Sequence, residues 1–334
     1  MVRQLFMTML GLSLTAGYLQ AQTPDRADQF QPGEVWLDTG GQPIDAHGGG
    51  MLYYRGVYYW YGEIMEGKTV HGRVDVTGVS CYSSRDLYHW KNEGNVLPAV
   101  KNDPSSDLAP GKVVERPKVV YNPKTQQFVM WMHVDSADYK YARAGLAVSD
   151  RPAGPYRYLG SLRPNGSMCR DMTLFQDSNG KAYLIFSSED NHTMHIARLT
   201  NDYLKPDGVM TRVFVDQYRE APAAFQYRGR YFLITSKCSG WAPNAALYAV
   251  ASSIMGPWKV MGNPTVGPGS DQTFNSQSTY VLPVAGRRGA LIFLADRWNA
   301  DDLADSRHLW LPISIHGDKL EITWLDHWDL SIFR

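Results

Sequence analysis

The chain has 334 residues, a formal net charge of zero and a pI near 7.1. That balance excludes the basic surface on which phosphate backbones are bound, so nucleic acid is not an expected partner. Aromatic residues make up 12% of the chain, with 20 Tyr and 10 Trp, which suits both stiff β-strands and stacking on sugar rings.

In chain order, the first segment reads as an export signal. Arg3 supplies a positive end, Leu5 to Leu19 is an apolar run, and Leu19-Gln20-Ala21 resembles a small-residue cleavage site. The run is too short to span a bilayer, and no later segment reaches the roughly 18 apolar residues of a membrane span. Residues 1–21 are therefore expected to be a signal peptide, with the mature protein, 22–334, exported to the periplasm or beyond the cell. Cys81, Cys169 and Cys238 stand far apart and form no CxxC pattern, so they read as buried thiols rather than a disulfide framework.

After the polar stretch 23–31 there is almost no 3.6-residue periodicity. Short apolar and aromatic runs are separated by Gly, Pro, Asn and Asp turns, which is an all-β pattern. One unit recurs: a β-run, a turn with Gly or Asn, then an aromatic strand. It occupies 51–61, 118–131, 173–186, 223–234 and 278–294. A second unit, a small-residue strand, a turn and an aromatic, follows at 83–90, 147–156 and 249–258. This repetition predicts a single five-bladed β-propeller over 22–334.

A propeller gathers the innermost strand of every blade around one axis. The residues just ahead of each main unit should then converge at one end of a central funnel. They are His47, Glu115, Asp171, Glu220 and Gln277, all polar in segments otherwise apolar or small. Buried carboxylates are costly unless paired or functional. Plain alternatives exist for each. For Glu220 it is a structural or substrate-binding hydrogen bond. Glu115 has Arg116 beside it, Asp171 has Arg170, Gln277 is placed to cap a strand, and His47 reads equally as a core histidine. The glycines at 48–50 suggest close approach of backbones at the axis.

Acids gathered in this way fit glycoside hydrolysis. One protonated carboxyl gives its proton to the leaving oxygen while an opposing group handles water, about 6.5–9.5 Å away in an inverting enzyme. A third carboxylate close to the acid raises its pKa by like-charge repulsion. Other chemistries lack their patterns: there is no GxSxG elbow, HExxH, Walker A loop or GxGxxG. No cofactor is expected. Histidine spacing marks no zinc site, and a calcium ion on the axis has no signature here.

At these residues the chain resembles glycoside hydrolase family 43, in particular its exo-acting galactan 1,3-β-galactosidases. The carrying segments are Ile44-Asp-Ala-His-Gly-Gly-Gly50, Tyr59-Trp-Tyr-Gly-Glu63, Val114-Glu-Arg-Pro117, Arg170-Asp-Met-Thr-Leu-Phe175, Ser187-Ser-Glu-Asp-Asn191, Arg219-Glu-Ala-Pro222, Asn275-Ser-Gln-Ser-Thr279, Ala295-Asp-Arg-Trp298 and Ser306-Arg-His-Leu-Trp-Leu-Pro312. The resemblance implies inversion, with Glu220 as general acid and Asp171 as the carboxylate that tunes it. Most of the family places an Asp base on the first blade. Here that region reads Asp45-Ala-His-Gly, a departure the galactanase branch shares, and the base role falls to Glu115 or to Gln277 acting on water, with Asp45 a further candidate. The resemblance also implies that Tyr61, Glu63, Glu189, Asp296, Arg297 and Trp298 line the sugar site, Tyr61 and Trp298 by stacking, and His47 and Asp45 are read beside them as substrate-binding.

The function so implied is release of galactose from β-1,3-galactan by a monomer whose partner is its saccharide substrate. A related arabinofuranosidase, xylosidase or β-galactosidase, or a non-catalytic sugar-binding propeller, are the competing readings.

Overall fold

A computed structural model describes residues 28–333. The signal-peptide reading and the boundary at residue 22 lie outside the described residues. No helix among those described is long and apolar enough to cross a membrane.

The strands form five antiparallel meanders. Blade 1 holds β1 (His47–Tyr54), β2 (Val57–Glu63), β3 (Gly78–Ser84) and β4 (Lys91–Pro98). Blade 2 holds β5 (Val113–Asn122), β6 (Gln127–Asp135), β7 (Arg143–Ser149) and β8 (Arg157–Leu162). Blade 3 holds β9 (Met172–Gln176), β10 (Ala182–Ser188), β11 (Thr193–Leu199) and β12 (Pro206–Val213). Blade 4 holds β13 (Arg219–Tyr227), β14 (Arg230–Lys237), β15 (Leu247–Ala251) and β16 (Lys259–Gly262). Blade 5 runs β18 (Gln277–Pro283), β19 (Leu291–Arg297), β20 (Arg307–His316) and β21 (Lys319–Thr323), with the short β17 (Thr265–Val266) laid parallel on its outer edge. Strands β1, β5, β9, β13 and β18 touch one another in a closed ring, which makes the fold a five-bladed propeller. The five main sequence units are its inner hairpins. The second unit covers the turn into the fourth strand of blades 1, 2 and 4.

Each blade is apolar on both faces because it is packed on both sides. In β6, Phe128, Met130, Met132 and Val134 point toward blade 1, while Val129 and Trp131 point toward blade 3. The two-residue period of a strand therefore serves two interfaces at once, and the sequence reads as a nearly continuous apolar run. Five such inter-blade clusters form the core.

The ring closes by packing of the terminal segments. Phe30 and Trp328 exchange backbone hydrogen bonds at 2.7 and 3.1 Å, and their rings stack at 4.2 Å. Trp36, Trp60, Trp90 and Trp310 complete an aromatic cluster between blades 1 and 5. Cys81 and Cys169 are buried, Cys238 is half-buried, and all three are free thiols.

Candidate active site

The inner strands share a local device. In blades 1, 2 and 4 the pairing slips by one residue just past His47, Glu115 and Glu220. The next residue is left-handed each time: Gly48 at φ 57°, Arg116 at 56° and Ala221 at 52°. A bulge of this kind re-aims the side chain beside it. Left-handed Arg and Ala are disfavoured and persist only where the surroundings hold them. Ala221 is held through its N–H to Asp171 Oδ2 at 2.9 Å and its carbonyl to Ser278 Oγ at 2.6 Å. Blade 5 bulges one residue after Gln277, and Asp171 stands immediately before β9. Gly48 is required for space as well, since a Cβ there would run into the Glu63 carboxyl.

These devices bring Glu63, Glu115, Asp171, Glu220, Gln277 and Trp298 to the wall of one axial cavity of about 310 Å³, together with Arg116, Tyr139 and Trp241. Glu115 is gripped at both oxygens. Tyr139 donates to Oε1 at 2.7 Å, and His133 Nδ1 lies 3.1 Å from Oε2. The other nitrogen of His133 meets Asp135 at 2.9 Å. Burial opposes protonation of His133, but its two carboxylate partners overcome this and raise its pKa to about 9. The imidazole is thus cationic at neutral pH. Burial likewise pushes the Glu115 pKa up, yet the His133 contact, Tyr139 and Arg116 hold it below the usual carboxylate value. Glu115 stays charged.

Glu220 sits in the opposite environment. Burial, reinforced by the negative charge of Asp171, drives its pKa up to about 8 against the opposing pull of Arg116. Asp171 does not pair with Arg170, which turns to Asp190 at 2.9 Å; it pairs with Arg116 at 3.1 Å. Gln277 bridges the two halves of the site. Its Nε2 donates to Glu220 Oε1 and to Ser236 Oγ, both at 3.0 Å, and its Oε1 accepts from Arg116 at 2.5 Å and Trp298 at 3.0 Å. An amide offers two donors and two lone pairs, so all of its hydrogen-bonding capacity is spent. Glu63 is buried beside this cluster, and desolvation and the Glu115 charge hold its pKa well above the usual range.

Several expected site residues lie elsewhere. Tyr61 is fully buried between blades 1 and 2, with its hydroxyl on Pro152 O at 2.8 Å; only the strand end, two residues on at Glu63, reaches the mouth. Glu189 turns outward to His195 at 2.9 Å and Arg212 at 2.6 Å on the outer strands of blade 3. Arg297 leans away to Phe274 O at 3.0 Å and over the Trp324 ring. Asp45 caps a neighbouring loop through the N–H groups of Met65 at 2.8 Å and Glu66 at 2.9 Å. His47 and Asp296 are buried behind Trp298. Asp296 accepts from Gly48 N–H at 2.7 Å and meets His47 and His308 at 3.2 and 3.0 Å. They form a buried layer behind the cavity wall.

Donor atoms cluster closely enough for a cation in two places, His47/Asp296/His308 and Glu115/His133/Asp171. In both, the atoms are already engaged: Asp296 by the two imidazoles, Glu115 by His133, and Asp171 by Arg116. Sequence reasoning missed His133, Asp135, Tyr139, Lys118 and Trp241. A polar signal was present for His133, an isolated histidine in the apolar run of β6. Lys118 is fully buried on the axis and donates to Gly48 O at 2.7 Å; burial and the Arg116 charge bring its pKa down to about 7.

Comparison with known proteins agrees with this geometry. The sequence family described as glycosyl hydrolases family 43 matches residues 46–279. A GH43 β-1,3-galactosidase, BT3683, solved with galactodeoxynojirimycin, is 42% identical, covering 90% of this chain and 100% of that one at a TM-score of 0.85. An exo-β-1,3-galactanase from Phanerochaete chrysosporium, solved with galactose, is 35% identical, covering 91% of this chain and 68% of that one at a TM-score of 0.83. An exo-β-1,3-galactanase from Clostridium thermocellum is 36% identical, covering 90% and 66% of the two chains at 0.81. No curated protein matches the chain. On the family match and these structural relatives together, the chain belongs to glycosyl hydrolase family 43.

Proposed function

We propose that the protein is an inverting exo-glycosidase that releases galactose from β-1,3-galactan. One observation carries the chemistry: two carboxyls in equivalent bulges, Glu220 held protonated and Glu115 held charged, face one cavity. The galactan substrate is supported by relatives whose names carry that activity.

In this reading Glu220 gives its proton to the glycosidic oxygen as the bond to the anomeric carbon breaks. Water attacks that carbon from the opposite face and passes a proton to Glu115. The sugar leaves inverted, and solvent returns the proton from Glu115 to Glu220. Glu115 is preferred over Gln277 for the water because the amide has no lone pair to spare and a far poorer basicity. Gln277 instead orients the acid. Asp171 keeps Glu220 protonated, and Trp298 and Glu63 face the sugar. The apolar leader 5–19 supports export, and we take the enzyme to act as a monomer.

The test is proton NMR of the first product from linear β-1,3-galactan. The α-anomer of galactose must appear first. Initial β-anomer rejects inversion, and no galactose while arabinan or xylan is cleaved moves the substrate within the fold.

A further inference from the structure

Trp241 stands on the loop between β14 and β15 of blade 4. Its indole N–H donates to Gly72 O at 2.9 Å, on the loop after β2 of blade 1. Its ring meets Trp298 of blade 5 edge-on, with centroids 5.0 Å apart at 63°. Blades 1 and 4 are not neighbours in the ring, because blade 5 separates them. The contact therefore reaches over the mouth of the propeller. On one side of the two indoles lies the catalytic cavity. On the other lies a second cavity of about 350 Å³ that shares Gly240, Trp241, Gln277 and Trp298 with the first. The two indoles are the partition between them.

The partition is held from both ends. At the base of the blade 4 loop, Asn244 accepts from Lys237 N–H at 2.9 Å and donates to Lys237 O at 3.0 Å and Ser239 Oγ at 2.6 Å. Thr273 ties the same loop to blade 5 through Asn244 O at 2.7 Å. On the blade 1 side, Leu303 N–H donates to Thr69 Oγ1 at 2.8 Å and Arg73 to Ala137 O at 2.9 Å. Gly72 has φ 69°, and a Cβ there would lie 2.9 Å from the indole nitrogen. Only glycine lets the indole come this close.

A polymer cut internally needs a groove open at both ends, whereas a terminal residue needs a closed pocket. We infer that Trp241 is a specificity-determining residue: it is the end wall that admits one terminal sugar ring and stops the chain from running on into the second cavity. This rests on the hydrolase reading above.

Two polymers test it: linear β-1,3-galactan, and the same polymer after periodate oxidation. Periodate destroys the terminal rings, which carry vicinal diols, and spares the 3-linked internal ones. The wild type should release galactose from the first and nothing from the second; no release from the first would reject the hydrolase reading itself. Trp241→Ala should join the cavities. It should produce oligosaccharides from the oxidised polymer while galactose release from the native polymer falls about 10-fold or more through lost positioning. A folded Trp241→Ala that still acts only on intact ends, or that loses activity on both polymers, overturns the inference. Where Trp241→Ala does not fold, Gly72→Ala decides, because it displaces the same indole from the other loop. Cleavage of the oxidised polymer supports the wall, and its absence overturns it.

Discussion

Blades 2 and 4 present the same feature to the axis and use it in opposite ways. Glu115 and Glu220 follow the same strand register, precede the same left-handed residue and reach the same cavity. Yet one is held below and the other well above the ordinary carboxylate range. The difference lies wholly in what surrounds them. Glu115 has a cationic imidazole and a phenol on its oxygens. Glu220, buried like Glu115, has an amide and the negative charge of Asp171 instead. A repeated fold supplies equivalent positions, and unlike neighbours give the two carboxyls opposite pKa shifts, the pairing that the proposed base and acid require.

The largest expected effect breaks the comparison outright. Glu220→Gln should lower kcat on galactan by ~10²- to 10⁴-fold. It should cost far less on a nitrophenyl galactoside, whose leaving group needs no proton. Glu115→Gln should lower kcat by a similar factor on both substrates, because water must be activated either way. Equal sensitivity of the two variants to the leaving group would show that the roles are wrongly assigned.

The pH profile of kcat/KM sharpens it. A general acid is active below its pKa, so activity should be lost as pH rises through about 8, the value for Glu220. Asp171→Asn keeps an acceptor for Ala221 N–H but removes the like charge. The alkaline limb should then move down by about one unit or more. An unmoved limb would mean that burial alone holds the proton. Next in size, His133→Asn removes the cation beside Glu115. The base is charged only above its pKa, which rises in this variant, so the acidic limb should move to higher pH by about one unit. The alkaline limb should stay. The smallest effect belongs to Tyr139→Phe, which removes one hydrogen bond from a neutral donor to the Glu115 carboxylate but leaves the His133 cation in place. It should shift the acidic limb the same way by less than one unit. A larger shift than that of His133→Asn would reverse the ranking of the two partners.

Much of the site was legible because each blade repeats one chemical signal, a polar residue set just ahead of an apolar inner strand. His47, Glu115, Asp171, Glu220 and Gln277 stand out for that reason. What failed to read was direction. Tyr61 and Glu63 share one face of β2, yet one is packed between blades and the other lines the cavity. Glu189 follows β10 at the same end of the molecule but turns to the outer strands. A wide separation along the chain hides the decisive contacts: Ala221 meets Asp171 across 50 residues, and Gln277 meets Glu220 across 57. Trp241, in a loop of small and polar residues, had nothing local to show that Gly72 lies 169 residues away at its ring nitrogen.

The sequence by itself determined the all-β class, the five repeated hairpins and the acids at their heads. Apolar periodicity, turn residues and repetition are local properties of the chain. Only the tertiary structure decided which acid is pushed toward its protonated form, which aromatics line the cavity and which face the core, and where the cavity ends. Those outcomes depend on burial and on charges and rings brought in from other blades, and neither exists until the ring has closed.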